Sequence, residues 1–593
     1  MALDADRFLY DGFTTLDGGV DSGRAASLLP ANKASWAKNC SFRNGFITQR
    51  PGFRKRTLKF LDVDGVEDAT VKANFEDGRF QGAGYYRLHN RGYVMVMVDG
   101  RLFRIDPVDH YKVTDVSGGE TNPDNRWRVW MQQAEDWLIV QDGQSAALIY
   151  NGGSCRRAAS NEVPTGTAMA YGMGRLVVAR GRQYFAGDLV YSDSGTELLG
   201  YRDAVLKFTE DTYYSEGGSF VLPLQSGEIT GMHFVANIDT SLGQGELVVF
   251  SREAAFTNQL PLDRTTWKQT PGLQRIAQIN GGSMGDGIVA VNGDLFYRSE
   301  DGIRSMIMAT RDFSQWGNRP ISQEVSRAIG NDARYLLQHQ SATLFDNRLL
   351  MTAAPVVTSQ GVYHRGLIAL DFNLVSNMFG AVPPAYDNVW TGVNTLKLVT
   401  GQFGEEDRCF VVHLNTTDDV IELWELTRGE LFDDDGSTEV SWEFETQSYN
   451  FKKPFNKKRL WGGDLWYDQL NEEVGFTVSF RPDQYPGWLS WHSWTDCQSV
   501  KQCDPVTACY TLLNTHPGYR SRKSLPQPPR TCNELDDSPV DLGYEFQMKV
   551  QVSGPVRFQR VRLIAEETDE QLFKGCAAGS SCATFTYCDS EDF

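Results

Sequence analysis

At 593 residues the chain is longer than one hydrophobic core serves, so two or more domains are expected. With 41% hydrophobic and 22% charged residues its composition is that of a folded protein and excludes extensive disorder. A formal net charge of -19 argues against a nucleic-acid binder, because such proteins cluster Lys and Arg to displace counterions from phosphates.

No run approaches the ~20 apolar residues of a membrane-spanning helix, so no membrane span is expected. Met1 to Asp21 lack a basic region followed by an apolar one, which predicts synthesis in a cytoplasm. Aromatics reach 12% and Gly numbers 56. That pairing is the texture of all-β folds: flat side chains pack on pleated surfaces, and Gly supplies positive φ at hairpins.

Three zones follow in chain order. Residues 1–60 read as an extended arm of short strands broken by Gly18-Gly19, Asn44-Gly45 and Pro51-Gly52. Asn44-Gly45, flanked by Ser41-Phe42 and Phe46-Ile47, signals a hairpin. The arm is locally basic through Arg43, Arg50, Arg54, Lys55, Arg56 and Lys59, which are candidates for contact with an acidic neighbour. A solvated charged loop is the plainer alternative.

Residues 61–435 repeat one theme, a short apolar strand, a polar turn and a second strand. Tyr93–Val98 is followed by Leu102–Ile105, Trp137–Val140 by Ala147–Tyr150, and Arg175–Val178 by Asp188–Tyr191. Glu246–Phe250 continues the series. Gly287–Val291 meets Asp294–Tyr297 across Asn292-Gly293, Arg348–Met351 precedes Gly366–Leu370, and Cys409–Val412 precedes Val420–Trp424. The recurrence predicts a β-propeller of six to eight blades, in which ring stacking covers sheet faces that no single blade can bury. A pair of β-sandwiches is the rival. One short helix is expected, over 321–337.

Residues 436–593 read as a Cys-rich C-terminal β domain, sandwich-like, with strands at Gly475–Phe480, Tyr544–Val550 and Phe558–Ile564. Cys497, Cys503, Cys509, Cys532, Cys576, Cys582 and Cys588 crowd it, seven of the chain's ten cysteines. The C-x5-C-x5-C spacing is too loose for the short turns that aim two sulfurs at one metal. It favours disulfide staples in an oxidising setting, with free buried thiols as the remaining option.

No catalytic signature stands out. Gly281 to Gly287 leads into a strand and lacks the Lys of a phosphate loop, and none of the eight His sits in a hydrolase context. Tyr191–Thr196 and Ser299–Gly302 partly resemble the Asp-box turns of sialidase-like propellers but lack the closing aromatic. Trp488, Trp491 and Trp494 could form a glycan platform, although a buried core is the plainer reading. A non-enzymatic protein with no cofactor and no metal is expected.

Two segments resemble the bacteriophage tail nozzle family, also called tail tubular protein B. The first runs Leu16-Asp17-Gly18-Gly19-Val20-Asp21, Leu29-Pro30-Ala31-Asn32-Lys33-Ala34, Asn39-Cys40-Ser41-Phe42-Arg43-Asn44-Gly45 and Arg50-Pro51-Gly52-Phe53. The second is Phe480-Arg481-Pro482-Asp483-Gln484-Tyr485-Pro486-Gly487-Trp488 with Arg557 to Ala565, similar to terminal β domains of phage virion proteins. The resemblance covers about 60 residues at the front and 90 at the back, and the Cys-rich terminus departs from the family pattern. It implies a virion protein of the phage tail, made in the host cytoplasm: a homo-oligomer, a hexameric ring of propellers with a platform forming the channel for DNA ejection. Such a ring docks on the head–tail adaptor, meets distal tail or fibre proteins, and lets genomic DNA pass without sequence-specific binding. On that reading the acidic stretch 401–450, with 14 Asp or Glu against two Arg, faces the lumen or its mouth, Glu405, Glu406, Asp407, Asp433, Asp434 and Asp435 being its candidates. A receptor- or glycan-binding adhesion module and, behind it, a propeller glycosidase are the rival functions.

Overall fold

The computed structural model describes residues 8–61, 66–189, 204–208, 219–235, 246–260, 267, 273–277, 282–285, 287–291, 293–307, 320–372, 385–429, 431–434, 436, 438–468, 473–483, 485–496, 521–531 and 539–568. They divide between two compact units, one of Asp17–Arg24 with Trp36–Trp442 and one of Met1–Leu16, Ala25–Ser35 and Glu443–Phe593.

The first unit is a ring of seven antiparallel blades. Blade 1 is Phe80–Leu88, Arg91–Val98, Arg101–Asp106 and Lys112–Asp115; blade 2 is Trp130–Ala134, Trp137–Gln141, Leu148–Tyr150 and Arg156–Arg157. Blade 3 is Met169–Gly172, Arg175–Arg180, Gln183–Ala186 and Ser219–Val221; blade 4 is Ile229–Val235, Glu246–Ser251, Ala255–Asn258 and Gln274–Ala277. Blade 5 has three described strands, Ile288–Val291, Asp294–Ser299 and Gly302–Ser305. Blade 6 is Ala342–Phe345, Arg348–Thr358, Gly361–Asp371 and Ala385–Trp390. Blade 7 is Thr395–Phe403, Glu406–Asn415, Val420–Leu426 and, from far upstream, Phe53–Arg56. Each blade's first strand touches the first strand of the next, and that of blade 7 touches that of blade 1. The circle closes.

Strand alternation explains how the ring holds. Along Arg91–Val98, Val94, Val96 and Val98 enter the cluster shared with blade 7, while Tyr93, Met95 and Met97 enter the cluster shared with blade 2. Successive side chains point to opposite faces, so one apolar strand feeds two cores. The same arrangement recurs round the ring, one apolar cluster between each neighbouring pair of blades. Each Val or Met so enclosed contributes about 1.5–3 kcal/mol. First strands come close enough that a side chain of one sits over a glycine of its neighbour: a Cβ on Gly401 of blade 7 would overlap the Tyr85 ring of blade 1.

The hairpins expected from the sequence are present in blades 1, 2, 5, 6 and 7. Val291 pairs with Asp294 beside Gly293 at φ 84°, and Cys40–Ser41 pairs with Ile47–Gln49 around Asn44 at φ 64° and Gly45 at φ 75°. One pairing differs. Arg175–Arg180 pairs with Gln183–Ala186, which a tight turn at Gly181 (φ 60°) brings back first, while Val190 and Tyr191 of the expected partner Asp188–Tyr191 lie outside the described residues. The expected helix over 321–337 is three short pieces, Ile321–Val325, Ser326–Ile329 and Arg334–His339. The longest helix among the described residues is Ala69–Glu76, capped by the Asp68 carboxylate accepting the Thr70 and Val71 N–H groups.

The second unit packs two sheets face to face. Phe8–Phe13, Lys458–Asp468, Arg557–Glu567, Ser521–Leu525 and Leu542–Gly543 form one; Val474–Pro482 lies between Leu489–Asp496 and Phe546–Ser553 in the other. Phe13, Phe444, Tyr467, Phe476 and Phe558 fill the space between as edge-on and tilted ring pairs. The N-terminal 60 residues are therefore no separate arm: Phe8–Phe13 completes the sandwich, and the chain from Trp36 onward belongs to the propeller. The later boundary falls at Trp442/Glu443 rather than at 435/436.

Candidate functional site

Residues 36–60, which include Asn39–Gly45 and Arg50–Phe53 of the sequence likeness, form a belt. Trp36–Lys38 adds to the outer strand of blade 6, with Lys38 opposite Val389. Phe53–Arg56 is the outer strand of blade 7, and Lys59–Phe60 adds to the outer strand of blade 1. Within 25 residues one segment crosses the three blades where the ring closes.

Two polar knots fasten it. In the first, Asn39, held at φ 57°, accepts through Oδ1 from the Thr391 N–H at 2.6 Å and from Arg50 Nε at 3.1 Å. Arg50, with a side chain only 1% exposed, donates Nη1 to Asp433 Oδ1 at 2.8 Å and Nη2 to Asp433 Oδ2 at 2.6 Å, and Nη2 also reaches the Thr391 carbonyl at 2.7 Å. Asp433 Oδ1 accepts the Phe53 N–H at 2.8 Å. Between them Gly52 lies against the Phe432 carbonyl, with no room for a Cβ.

In the second knot, Arg43 donates Nε to Asp371 Oδ2 at 2.8 Å and Nη1 to Asp346 Oδ2 at 2.7 Å. Arg348 donates Nη1 to the same Asp346 oxygen at 2.7 Å and Nη2 to Ser41 Oγ at 2.9 Å. Asp387, fully buried, accepts the Phe42 N–H at 2.9 Å. Two cations thus face three carboxylates. Burial, with Asp371 adding and Arg348 opposing, pushes Asp387 up to about 6.

The acidic neighbours expected for the basic segment are, for these residues, in the same chain. Besides Arg43 and Arg50, Lys55 pairs with Glu422 at 2.8 Å and Arg56 Nε with Glu425 at 2.7 Å, both on blade 7. Arg54 bridges through its backbone to Asp434, and Lys59 is exposed. The acidic candidates separate in the same way. Asp433 is bound by Arg50; Asp434, at φ 61°, donates its N–H to the Phe53 carbonyl; Asp435 lies outside the described residues. Glu405, Glu406 and Asp407 are exposed at the turn joining the first two strands of blade 7, and no ion pair reaches them among the described residues.

All seven C-terminal cysteines lie outside the described residues. Cys40, Cys155 and Cys409 are buried free thiols, and burial pushes Cys155 and Cys409 up to about 12. Trp491 is buried and donates to the Pro526 carbonyl at 2.8 Å. Trp494 stacks on Phe476, and Trp488 carries Arg481 at 4.4 Å from its ring centre. The three do not form one platform. A cavity of about 500 Å³ beside blade 5 brings Glu300, Asp301 and Asp332 together with Arg298 and Arg334. Its carboxylates face arginines, Glu300 with Arg334 at 2.9 Å and Asp332 with Arg298 at 3.4 Å.

Sequence reading passed over Asn39's partner Thr391 and the acids Asp346, Asp371 and Asp387. Asp371 and Asp387 do carry a signal, a lone carboxylate ending or interrupting an apolar strand.

No protein-family model matches the chain, and no curated protein matches it. Among solved structures it is similar to the extracellular domain of a one-component system from B. thetaiotaomicron, at 12% identity and TM-score 0.36 over 75% of this chain and 46% of that one. It is also similar to the computationally designed Ika8 protein (10%, TM-score 0.29, 59% of this chain and 96% of that one). A third is BBS1N in complex with ARL6DN (9%, TM-score 0.31, 64% and 98%). At such scores these likenesses carry no argument, and the fold rests on the strand pairings.

Proposed function

We propose that this chain is a structural, non-enzymatic subunit of a bacteriophage tail, a nozzle or tail-tube ring component through which DNA is ejected. The observation that carries this reading is the belt. Asn39, Arg43 and Arg50 to Phe53, residues of the nozzle-like sequence pattern, are the ones that knot the N-terminal segment across the closure of the propeller. A family signature made of scaffold residues suits a protein whose work is done by shape.

Charge supports the same reading. Copies at -19 each, arranged round a channel, present carboxylates to DNA phosphates, and at cellular ionic strength the repulsion reaches about 8 Å. A wall of that kind lets a duplex slide without adhering. The ring would be a hexamer joined to a head–tail adaptor above and to distal tail or fibre proteins below, in a virion assembled in the host cytoplasm.

Mass photometry of the purified full chain tests this. The expected result is a species near six times the 66.5 kDa chain mass. A single species at the chain mass, binding glycans, would favour the adhesion reading and overturn this one.

A further inference from the structure

The outward face of the sandwich sheet that contains Phe8–Phe13 carries a ladder of aromatic rings and arginines. The Arg562 guanidinium lies 5.1 Å from the Tyr10 ring centre and 5.4 Å from that of Trp466, and Arg522 lies 5.6 Å from Trp466 on its other side. Register puts these groups on one face: Gly12 opposite Arg562, Asp464 opposite both Arg562 and Ser524, and Trp466 opposite Arg522 and Arg560.

The ladder is held rigid from beneath. Asp464, 1% exposed, accepts Arg522 Nε at 3.0 Å, Ser524 Oγ at 2.8 Å and Arg562 Nε at 3.0 Å, and Arg562 Nη2 as well. One buried carboxylate fixes two guanidiniums, and exposed Arg560 adds a third cation. Of the other acids on this face, Asp468 is buried and bound by Arg557, and Glu566 lies at the far end opposite Phe8 and Arg459. Yet the ladder is open to solvent: Tyr10 is 52% exposed, and the Arg522 and Arg562 side chains 53% and 38%.

Trp, Tyr and Arg locked in place and left uncovered are the composition of an interface centre, where desolvation falls on groups already ordered. We propose that this face docks a second copy of the chain, seating the acidic turn Glu405-Glu406-Asp407 of the neighbouring copy. The choice of occupant rests on charge. The chain carries -19 overall, this face is locally cationic, and the turn presents three adjacent exposed carboxylates that no cation pairs among the described residues. A cationic face of one copy meeting an acidic turn of the next makes a heterologous contact, the kind that closes into a ring. The inference deepens the ring-subunit reading and rests on it.

Sedimentation velocity on four full-length proteins tests it: wild type, Arg560→Glu, the triple Glu405→Lys/Glu406→Lys/Asp407→Lys, and all four changes together. Arg560 is exposed and no bond to Asp464 involves it, so the fold should survive its reversal; an unchanged thermal midpoint checks this. The expected result is assembly weakened about tenfold or more by either reversal and partly restored in the combined protein relative to the triple variant. Assembly of Arg560→Glu at wild-type strength overturns the inference while leaving the ring reading intact. Weakening without restoration overturns the named occupant, and points to another acidic segment such as the chain's own 569–593. A wild type that never assembles removes the ring reading and this inference together.

Discussion

Arg50 and Asp433 meet in a two-pronged bond at 2.8 and 2.6 Å although 383 residues separate them. That bond ties the start of the propeller to the end of its last blade. Because the Arg50 side chain is 1% exposed, losing this partner leaves a buried cation uncompensated. Asp433→Asn keeps an acceptor for the Phe53 N–H but strands the cation, and should cost about 3–5 kcal/mol in the urea unfolding of the propeller. Arg50→Met combined with Asp433→Asn should recover most of that loss. Equal losses in the single and double variants would show that the ion pair is not what holds the belt.

Acid should loosen the propeller through two histidines. His364 is fully buried, and His413, also buried, accepts the Asn394 N–H at 3.0 Å through Nδ1; burial holds them down to about 3 and about 4. Unfolded, each takes up a proton below about pH 6.5. The unfolded chain therefore binds more protons between pH 6.5 and those folded values, and stability falls as pH drops through that window, by about 1.4 kcal/mol per pH unit for each histidine. Chemical denaturation at pH 7, 6 and 5 should show this contribution, and His413→Gln should remove about 1.4 kcal/mol per pH unit of it.

Asp387 should act in the opposite direction. Its folded value of about 6 means that the folded chain keeps a proton which the unfolded chain releases above about pH 4. The resulting penalty grows between pH 4 and 6 and is constant above. Asp387→Asn, still able to accept the Phe42 N–H, should stabilise the propeller by about 1–3 kcal/mol at pH 7.5 and by nothing near pH 4. An equal effect at both pH values would rule out titration as its cause.

Closure between blades 7 and 1 depends on an absent side chain. Gly401→Ala pushes a Cβ into the Tyr85 ring, whose hydroxyl is anchored to the Gln402 carbonyl at 2.7 Å. Overpacking of this kind costs about 1–3 kcal/mol. Gly429→Ala, with open space around it, should leave the melting temperature unchanged.

The blades were legible in the sequence because Tyr93–Val98 and its counterparts are apolar on both faces and end at turn residues, a pattern with few solutions other than stacked sheets. Asn44-Gly45 likewise announced its turn by local chemistry. The belt was not legible. Lys38 and Val389 find each other through backbone pairing that leaves no periodicity, and Arg43 reads as a surface cation until Asp346 and Asp371 are brought beside it from 300 residues away. The aromatic–arginine ladder escaped for a similar reason: Tyr10, Trp466, Arg522 and Arg562 sit on four separate strands, and only register makes them neighbours.

Electron microscopy of the purified full chain tests the ring-subunit reading most directly. The expected images are closed rings of several copies around an open channel. Lone propellers at every concentration, turning over a substrate in the cavity beside blade 5, would contradict it.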